Sequence, residues 1–231
     1  GELRRAQNIL VLSHLRPDGD CLGSSGGLVL GLESLGKRVA AFNASGVPDK
    51  LSFIPGTGRV AADFPDWTPD LYVFVDCGGM DRVRAGLTVD GPAINIDHHA
   101  TNEFFGDWNY VDTGACAVGE QMIGILEALG VEITPEIATA LATAILTDTG
   151  GLRYASVSAR TFRSVARLSE AGANTSDICA RVFESRRREE LLLIGRVYSR
   201  LRFLCEGRLS TSEITQEDYR EVGGEEFEPD G

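Results

Sequence analysis

The chain is poor in residues that mark several function classes. Its 231 residues include three histidines, two tryptophans and two methionines, and aromatics make up only 7%. The five cysteines (Cys21, Cys77, Cys116, Cys179, Cys205) are odd in number and form no Cys-x-x-Cys pair. That argues against a zinc-thiolate site or a disulfide frame and for the reduced thiols of a cytoplasmic protein. No apolar run reaches the roughly 18–20 residues that span a bilayer, so no membrane partner is expected. Residues 1–10 lack the basic-then-apolar order of a secretory signal. Basic residues are scarce too: 22 Lys and Arg face 34 Asp and Glu, a net charge of −12. Residues 206–231 hold nine of those acids and two arginines, so −7 sits in the tail and −5 in the body. A long-duplex nucleic-acid binder needs a basic face that displaces counterions. A small or short anionic ligand held by metal ions suits this chain better.

What is present begins with four apolar runs: Asn8–Ser13, Arg38–Asn43, Leu71–Val75 and Ala93–Ile96. Short, wholly apolar strands predict an α/β fold with a parallel sheet covered by helices on both faces. Ligands of such sheets bind beyond the strand C-termini. Helical spacing covers residues 22–36, 115–129, 135–146, 158–172 and 174–184, followed by a longer, arginine-rich amphipathic helix over 186–203. Residues 208–214 read as a short strand and 215–219 as a helical turn, before an acidic, glycine-rich end.

All three histidines lie beside aspartates. His14 opens HLRPDGD, and His98 and His99 follow Asp97 in IDHHA. Neutral imidazole is the commonest protein metal ligand. In His14-x-x-x-Asp18-x-Asp20, the turn at Pro17 and Gly19 can aim both carboxylates and the imidazole into one cavity. Imidazole mixed with hard oxygens suits Mn²⁺ or Mg²⁺, with Fe²⁺ or Co²⁺ as further options. An Asp-Gly turn in which Asp20 merely caps the next helix is the alternative. The GSSGG stretch that follows (residues 23–27) is either a phosphate cradle at a helix N-terminus or a site of close helix–sheet packing. Asp76, after the third strand, and Asp148, where a helix meets a Gly turn, read alone as loop or helix caps. Adjacent imidazoles at His98 and His99 point different ways, so one can bind metal while the other faces a phosphate. Together His14, Asp18, Asp20, Asp76, His98 and Asp148 are too many ligands for one four-coordinate ion and suit two ions sharing a carboxylate.

The segments HLRPDGDCLGSSGGL, VFVDCGGMDRV, NIDHHATN and TAILTDTGGLRYASVS resemble the four sequential motifs of the DHH phosphoesterase superfamily. The DGDCLGS and DTGGLRY wording is most similar to its bacterial oligoribonuclease/pAp-phosphatase (nanoRNase) branch. The resemblance covers roughly residues 7–205. It implies a phosphoesterase acting on short RNA oligonucleotides or 3′-phosphoadenosine 5′-phosphate, through a hydroxide bridging two Mn²⁺ ions, with Mg²⁺ or Co²⁺ as substitutes. It places His14 and Asp18 on one metal, Asp20, His98 and Asp148 on the other, and Asp76 between them. His99 would face the substrate phosphate, with Asp97 supporting the pair, and Ser24 and Arg153 are weaker candidates for substrate contact. An inorganic pyrophosphatase, a cyclic-dinucleotide or single-strand DNA hydrolase of the same superfamily, and a non-catalytic metal or nucleotide-binding module are the alternatives. By the same resemblance, residues 1–185 form the catalytic domain and 186–205 a linker helix. Residues 206–231 are expected to open a truncated C-terminal substrate-binding domain, whose GGGH-type loop this chain lacks. A homodimer is possible.

Overall fold

Six short strands answer to the apolar runs and to two segments without one. In the computed structural model, which describes residues 1–223, they are β1 (Asn8–Ser13), β2 (Arg38–Phe42), β3 (Val60–Ala61), β4 (Leu71–Val75), β5 (Ala93–Asp97) and β6 (Trp108–Val111). All neighbours pair in parallel, in the order β3-β2-β1-β4-β5-β6. The two strands not expected from sequence, β3 and β6, are the sheet edges. They are held by backbone pairing on one side, and β6 (WNYV) is largely exposed, so neither needs an apolar signature.

Around the sheet lie α1 (Glu2–Arg5), α2 (Gly19–Ser34), α3 (Val118–Leu129), α4 (Pro135–Asp148), α5 (Ala159–Glu170) and α6 (Thr175–Cys179). One sheet face, with Ile9, Val11, Val73 and Ile96, packs on Leu28 and Leu32 of α2, Met122 and Leu126 of α3, and Leu141 and Ile145 of α4. The opposite face, with Leu10, Leu12, Phe42 and Phe74, is covered by the helical turn Met80–Arg82 and by Val83, Leu87 and Phe105. The chain moves outward from β1 to β2 and β3 on one side and through β4, β5 and β6 on the other. The sheet therefore has its topological switch between β1 and β4, where a crevice opens at the strand C-termini.

Helix α2 starts three residues earlier than its spacing suggested. Asp18 caps it, its Oδ1 accepting from the Cys21 N–H at 2.9 Å, so the GSSGG stretch lies inside the helix. Two of its glycines, Gly23 and Gly27, serve close packing against a helix rather than the sheet, and Gly26 packs on the Pro55 carbonyl. A Cβ on Gly23 would sit 2.4 Å from the Ala140 carbonyl oxygen of α4, one on Gly27 2.7 Å from Leu141, and one on Gly19 2.3 Å from Thr147. The missing methyls let α2 and α4 touch along their length.

Residues 1–182 form one compact unit, and the described residues from 183 onward form a second. At their boundary α6 runs into a single π-helical turn, Ala180–Glu184. The second unit holds α7 (Arg188–Ser199), an antiparallel pair β7 (Arg202–Leu204) and β8 (Leu209–Thr211), and α8 (Gln216–Val222). The long helix expected to reach residue 203 thus ends at Ser199. Asp218, buried in this unit, accepts from Arg196 Nη1 at 2.8 Å and from Arg200 Nη2 at 2.7 Å. These guanidinium partners hold its carboxyl well below the usual range. The acidic end expected from sequence lies outside the described residues beyond Gly223. No helix among the described residues is long and apolar enough to cross a membrane.

Gly23→Ala is expected to cost about 1–3 kcal/mol, the usual penalty of overpacking a close contact, because its methyl meets backbone that cannot swing aside. Urea unfolding of the variant checks this, and an unchanged midpoint would show that the α2–α4 contact yields.

Candidate metal centre

The crevice at the switch point collects side chains from five elements. His14 follows β1, and Asp18 and Asp20 flank the first residue of α2. Asp76 follows β4, His98 and His99 follow β5, and Asp148 ends α4. Three groups of donor atoms lie within 4.8 Å of one another: His14, Asp18 and Asp76; Asp20, His98 and Asp148; and Asp76, His98 and His99. Asp76 belongs to two of them and stands between the two sides. Its Oδ2 is 3.5 Å from His14 Nε2, and its Oδ1 is 3.8 Å from His98 Nε2. His14 Nε2 lies 3.9 Å from Asp18 Oδ1, and His98 Nε2 lies 3.9 Å from Asp20 Oδ2 and 3.6 Å from Asp148 Oδ2.

These separations sit at or beyond the limit of a hydrogen bond. They are close to the ligand–ligand edge of a cation with bonds of about 2.0–2.2 Å. Asp76 supplies the sharpest test of fit. Only 3% of its side chain is exposed, and its Oδ1 has no hydrogen-bond partner among the described residues. An uncompensated buried carboxylate oxygen is costly, and a cation shared with His98 would satisfy it. Asp76 also adopts φ +55°, sparsely populated for a residue with a Cβ and the sort of strain found at functional sites.

Each imidazole is oriented by its other nitrogen. His14 Nδ1 meets the Leu15 carbonyl at 2.8 Å and His98 Nδ1 the Ala115 carbonyl at 3.3 Å, which turns both Nε2 atoms toward the carboxylates. His99 differs. Its Nδ1 donates to Asp97 Oδ1 at 2.8 Å, so although it lies 3.6 Å from Asp76 Oδ1 that nitrogen is already committed. Its Nε2 is left for the open side, where the ring is half exposed. Among the ten candidates from sequence, Ser24 is fully buried and donates to Asp20 Oδ1 at 2.8 Å, so its present partner is a carboxylate of the site. Arg153 is exposed beside the Gly150–Gly151 turn, its Nε donating to the Gly150 carbonyl.

Several supporting groups carried no assignment from sequence. Asp20 accepts from the backbone N–H groups of Val118 (2.7 Å) and Gly119 (3.0 Å). It therefore caps α3, whose own N-cap Ala117 has no side chain to do so. Asn102 donates to Asp97 Oδ2 at 2.6 Å and to Asn95 Oδ1 at 2.7 Å, while Asn95 donates to the Cys77 carbonyl at 2.9 Å. Gln121 donates to the Asp97 carbonyl at 2.9 Å. Both asparagines stand inside NIDHHATN, and a polar residue within an otherwise apolar strand, as at Asn95, was the available signal. Gln121 offered none.

The electrostatics follow from crowding. Burial and the charges of Asp76, Asp148 and Asp18 push the Asp20 carboxyl well above the ordinary range. Burial, with Asp76 adding to it, pushes Asp148 up to about 6. Burial disfavours the charged form of His14, but Asp18 and Asp76 outweigh it and its pKa is raised. The Asp97 hydrogen bond raises His99 against its own burial.

The family model described as the N-terminal domain of the DHH family matches residues 8–145, and the chain belongs to that family. Several of its relatives are named bifunctional oligoribonuclease and PAP phosphatase. It is 34% identical over 220 residues to the bifunctional oligoribonuclease and PAP phosphatase NrnA of Thermus thermophilus, covering 95% of this chain and 67% of that protein. The protein of the same name from Mycoplasma pneumoniae is 29% identical over 180 residues, covering 74% of this chain and 55% of its own. An exopolyphosphatase-related protein from Bacteroides fragilis superposes with a TM-score of 0.88 at 25% identity, over 96% of this chain and 69% of that one. The chain thus spans between about half and two thirds of the length of these proteins.

Two outcomes are expected. Asn102→Ala, which frees the Cys77 carbonyl beside Asp76 as well as Asp97, should lower divalent-cation affinity about 10-fold; calorimetry that finds wild-type affinity would show this brace to be dispensable. Asp148 favours its protonated form in the folded chain. Its contribution to metal-free stability is therefore full below its ordinary 3.8 and lost as pH rises through about 6. In EDTA, Asp148→Asn should melt with the wild type near pH 4 and above it at about pH 7. A variant that melts no higher at neutral pH would contradict the repulsion.

Proposed function

We propose that this chain carries the catalytic site of a phosphoesterase that hydrolyses short RNA oligonucleotides and 3′-phosphoadenosine 5′-phosphate with two divalent cations, Mn²⁺ foremost. The observation that carries the reading is Asp76, whose buried Oδ1, unpartnered among the described residues, faces His98 while its Oδ2 faces His14. His14 and Asp18 would hold one cation and Asp20, His98 and Asp148 the other, with Asp76 on both. When bound, such a pair supplies a water activated at neutral pH and neutralises charge on the phosphoryl oxygens.

The remaining steps belong to the chain itself. His99, anchored through Nδ1 on Asp97, presents Nε2 to a non-bridging oxygen of the scissile phosphate and donates to it as charge builds there. Asn102 and Gln121 fix Asp97, so the imidazole needs no reorientation during the reaction. Arg153, in the turn that follows Asp148, would supply a second contact for phosphate. Ser24 acts through Asp20, which it orients. Residues 1–185 are read as the catalytic domain, 186–205 as a linker and 206–231 as the start of the substrate-binding domain. The choice of RNA and PAP rests on the names of the relatives and on the motif wording.

The purified chain is expected to bind two Mn²⁺ ions in calorimetry and to hydrolyse bis-p-nitrophenyl phosphate. No rate above blank with Mn²⁺ would sink the intact-catalyst reading. Asp76→Ala should lose both ions together; one ion retained at full affinity would show that Asp76 is not shared. A side-by-side assay of PAP, a pentaribonucleotide, pyrophosphate and a cyclic dinucleotide ranks the substrates, and pyrophosphate turned over fastest would replace the nucleotide reading.

A further inference from the structure

Two ligand candidates of one donor group, Asp20 and His98, lean on the same stretch of chain. Residues 112–120 run from the end of β6 into the first turn of α3. His98 Nδ1 donates to the Ala115 carbonyl at 3.3 Å, and Asp20 accepts from the Val118 and Gly119 N–H groups at 2.7 and 3.0 Å. Whatever holds this stretch sets where both side chains point. Two carboxylates grip it around Ala115. Asp112 Oδ1 accepts from the Gly114 N–H at 3.0 Å, and the Asp112 carbonyl accepts from the Ala115 N–H at 3.0 Å. Glu120 Oε2 accepts from the Cys116 N–H at 3.3 Å. That N–H and the Ala115 carbonyl belong to one planar peptide group. Glu120 at one end therefore fixes the direction in which the carbonyl meets His98 at the other.

Both carboxylates are tied by a single guanidinium from a helix that supplies no ligand candidate. Arg160 of α5 donates through Nη1 to Asp112 Oδ2 at 2.6 Å, and its Nε lies 3.1 Å from Glu120 Oε2. The Glu120 side chain is 1% exposed, and among the described residues Arg160 is its one ion-pair partner. A buried carboxylate left without its cation is strongly unfavourable. Arg160 itself stands in the first turn of α5, where the helix dipole disfavours a cation and no acidic residue accompanies it. Ser158 and Thr161 make that turn rigid, each side chain accepting from the other's backbone N–H, and Thr161 is fully buried. The guanidinium is thus held firmly, against its own helix dipole, on two carboxylates that flank Ala115.

We propose that Arg160 is a positioning residue that places the His98 imidazole and the Asp20 carboxylate through Asp112 and Glu120, and so sets the affinity of one cation site and not of its neighbour. The site it governs is that of Asp20, His98 and Asp148. His14 and Asp18 take their hydrogen bonds from Leu15 and Cys21 instead, outside residues 112–120. The effect on cations rests on the two-cation reading; the placement of His98 does not.

With three histidines in the chain, imidazole nitrogen NMR of the metal-free 231-residue protein follows each ring separately. In Arg160→Met the His98 signals should move while those of His14 stay. In calorimetry with Mn²⁺ this variant should lose about tenfold in affinity at one of two sites and less than about twofold at the other. Arg160→Lys keeps the charge but not the planar fork that reaches both carboxylates, and should fall between. Arg167→Met, which loses a pair between the same two helices, should match wild type in both measurements. If Arg167→Met reproduces the effect, the cause is a loosened α5 and the proposal falls. Unmoved His98 signals, or equal losses at both cations, would overturn it too. Should Arg160→Met fail to fold with Glu120 buried and unpaired, adding Glu120→Gln removes that charge. His98 signals displaced in the double variant support the proposal, and signals back at their wild-type positions would show that Arg160 only neutralises Glu120. A wild type that binds fewer than two Mn²⁺ ions, while Arg160→Met still moves His98, would sink the two-cation reading and leave the placement standing.

Discussion

Like-charge repulsion in a sheltered crevice is the constraint that the rest of the structure answers. Asp18, Asp20, Asp76 and Asp148 converge from three elements. Two carboxylates about 4–5 Å apart repel by roughly 3–4 kcal/mol at the effective dielectric of a partly buried site. No flexible loop would hold such a set together unaided. Here each carboxylate is mounted on a rigid element: Asp18 and Asp20 on the first turn of α2, Asp76 at the paired end of β4, and Asp148 on the last turn of α4. The absence of a Cβ at Gly19, Gly23 and Gly27 lets α2 and α4 approach until their aspartates meet. Two dications would balance the four negative charges, so the repulsion stored in the folded chain becomes affinity for metal.

The same groups also hold the fold, which ties the centre to the core. Asp20 is a ligand candidate and, through Val118 and Gly119, the cap of a helix 98 residues away in sequence. Asp97 positions His99 on one oxygen and receives Asn102 on the other, while its carbonyl receives Gln121. Asn95 and Asn102 both reach the carbonyl of Cys77, the residue after Asp76. The strained backbone of Asp76 and the orientation of His99 are thus braced by one buried network. Satisfied polar networks of this sort rigidify a site as a unit.

Much of this was legible before any coordinates. The central strands β1, β4 and β5 are apolar because they are buried on both faces, and their ends announce His14, Asp76 and Asp97. The edge strands β3 and β6 escaped notice, because one-sided pairing asks little of their side chains. GSSGG illustrates a real ambiguity. Glycine serves a close phosphate and a close helix equally well, and only the Ala140 carbonyl at 2.4 Å from an added Cβ decides for the helix. Asp20 reads in the sequence as a ligand or as the cap of the next helix; in the structure Asp18 caps that helix, and Asp20 caps α3 instead.

The sequence by itself determined the chemistry on offer: imidazole and carboxylate without thiolate, short buried strands, and an acidic chain with one arginine-rich stretch. Those are properties of residue type and local spacing, which a linear reading senses directly. Only the tertiary structure decided that Asp76 stands between two groups of donor atoms with an oxygen unpartnered among the described residues, and that Asp97 takes up His99 Nδ1. It alone showed that Gln121, silent in sequence, holds the Asp97 carbonyl. Such relations depend on which elements are neighbours in the sheet and how closely α2 and α4 approach, and distance in space is not written in distance along the chain.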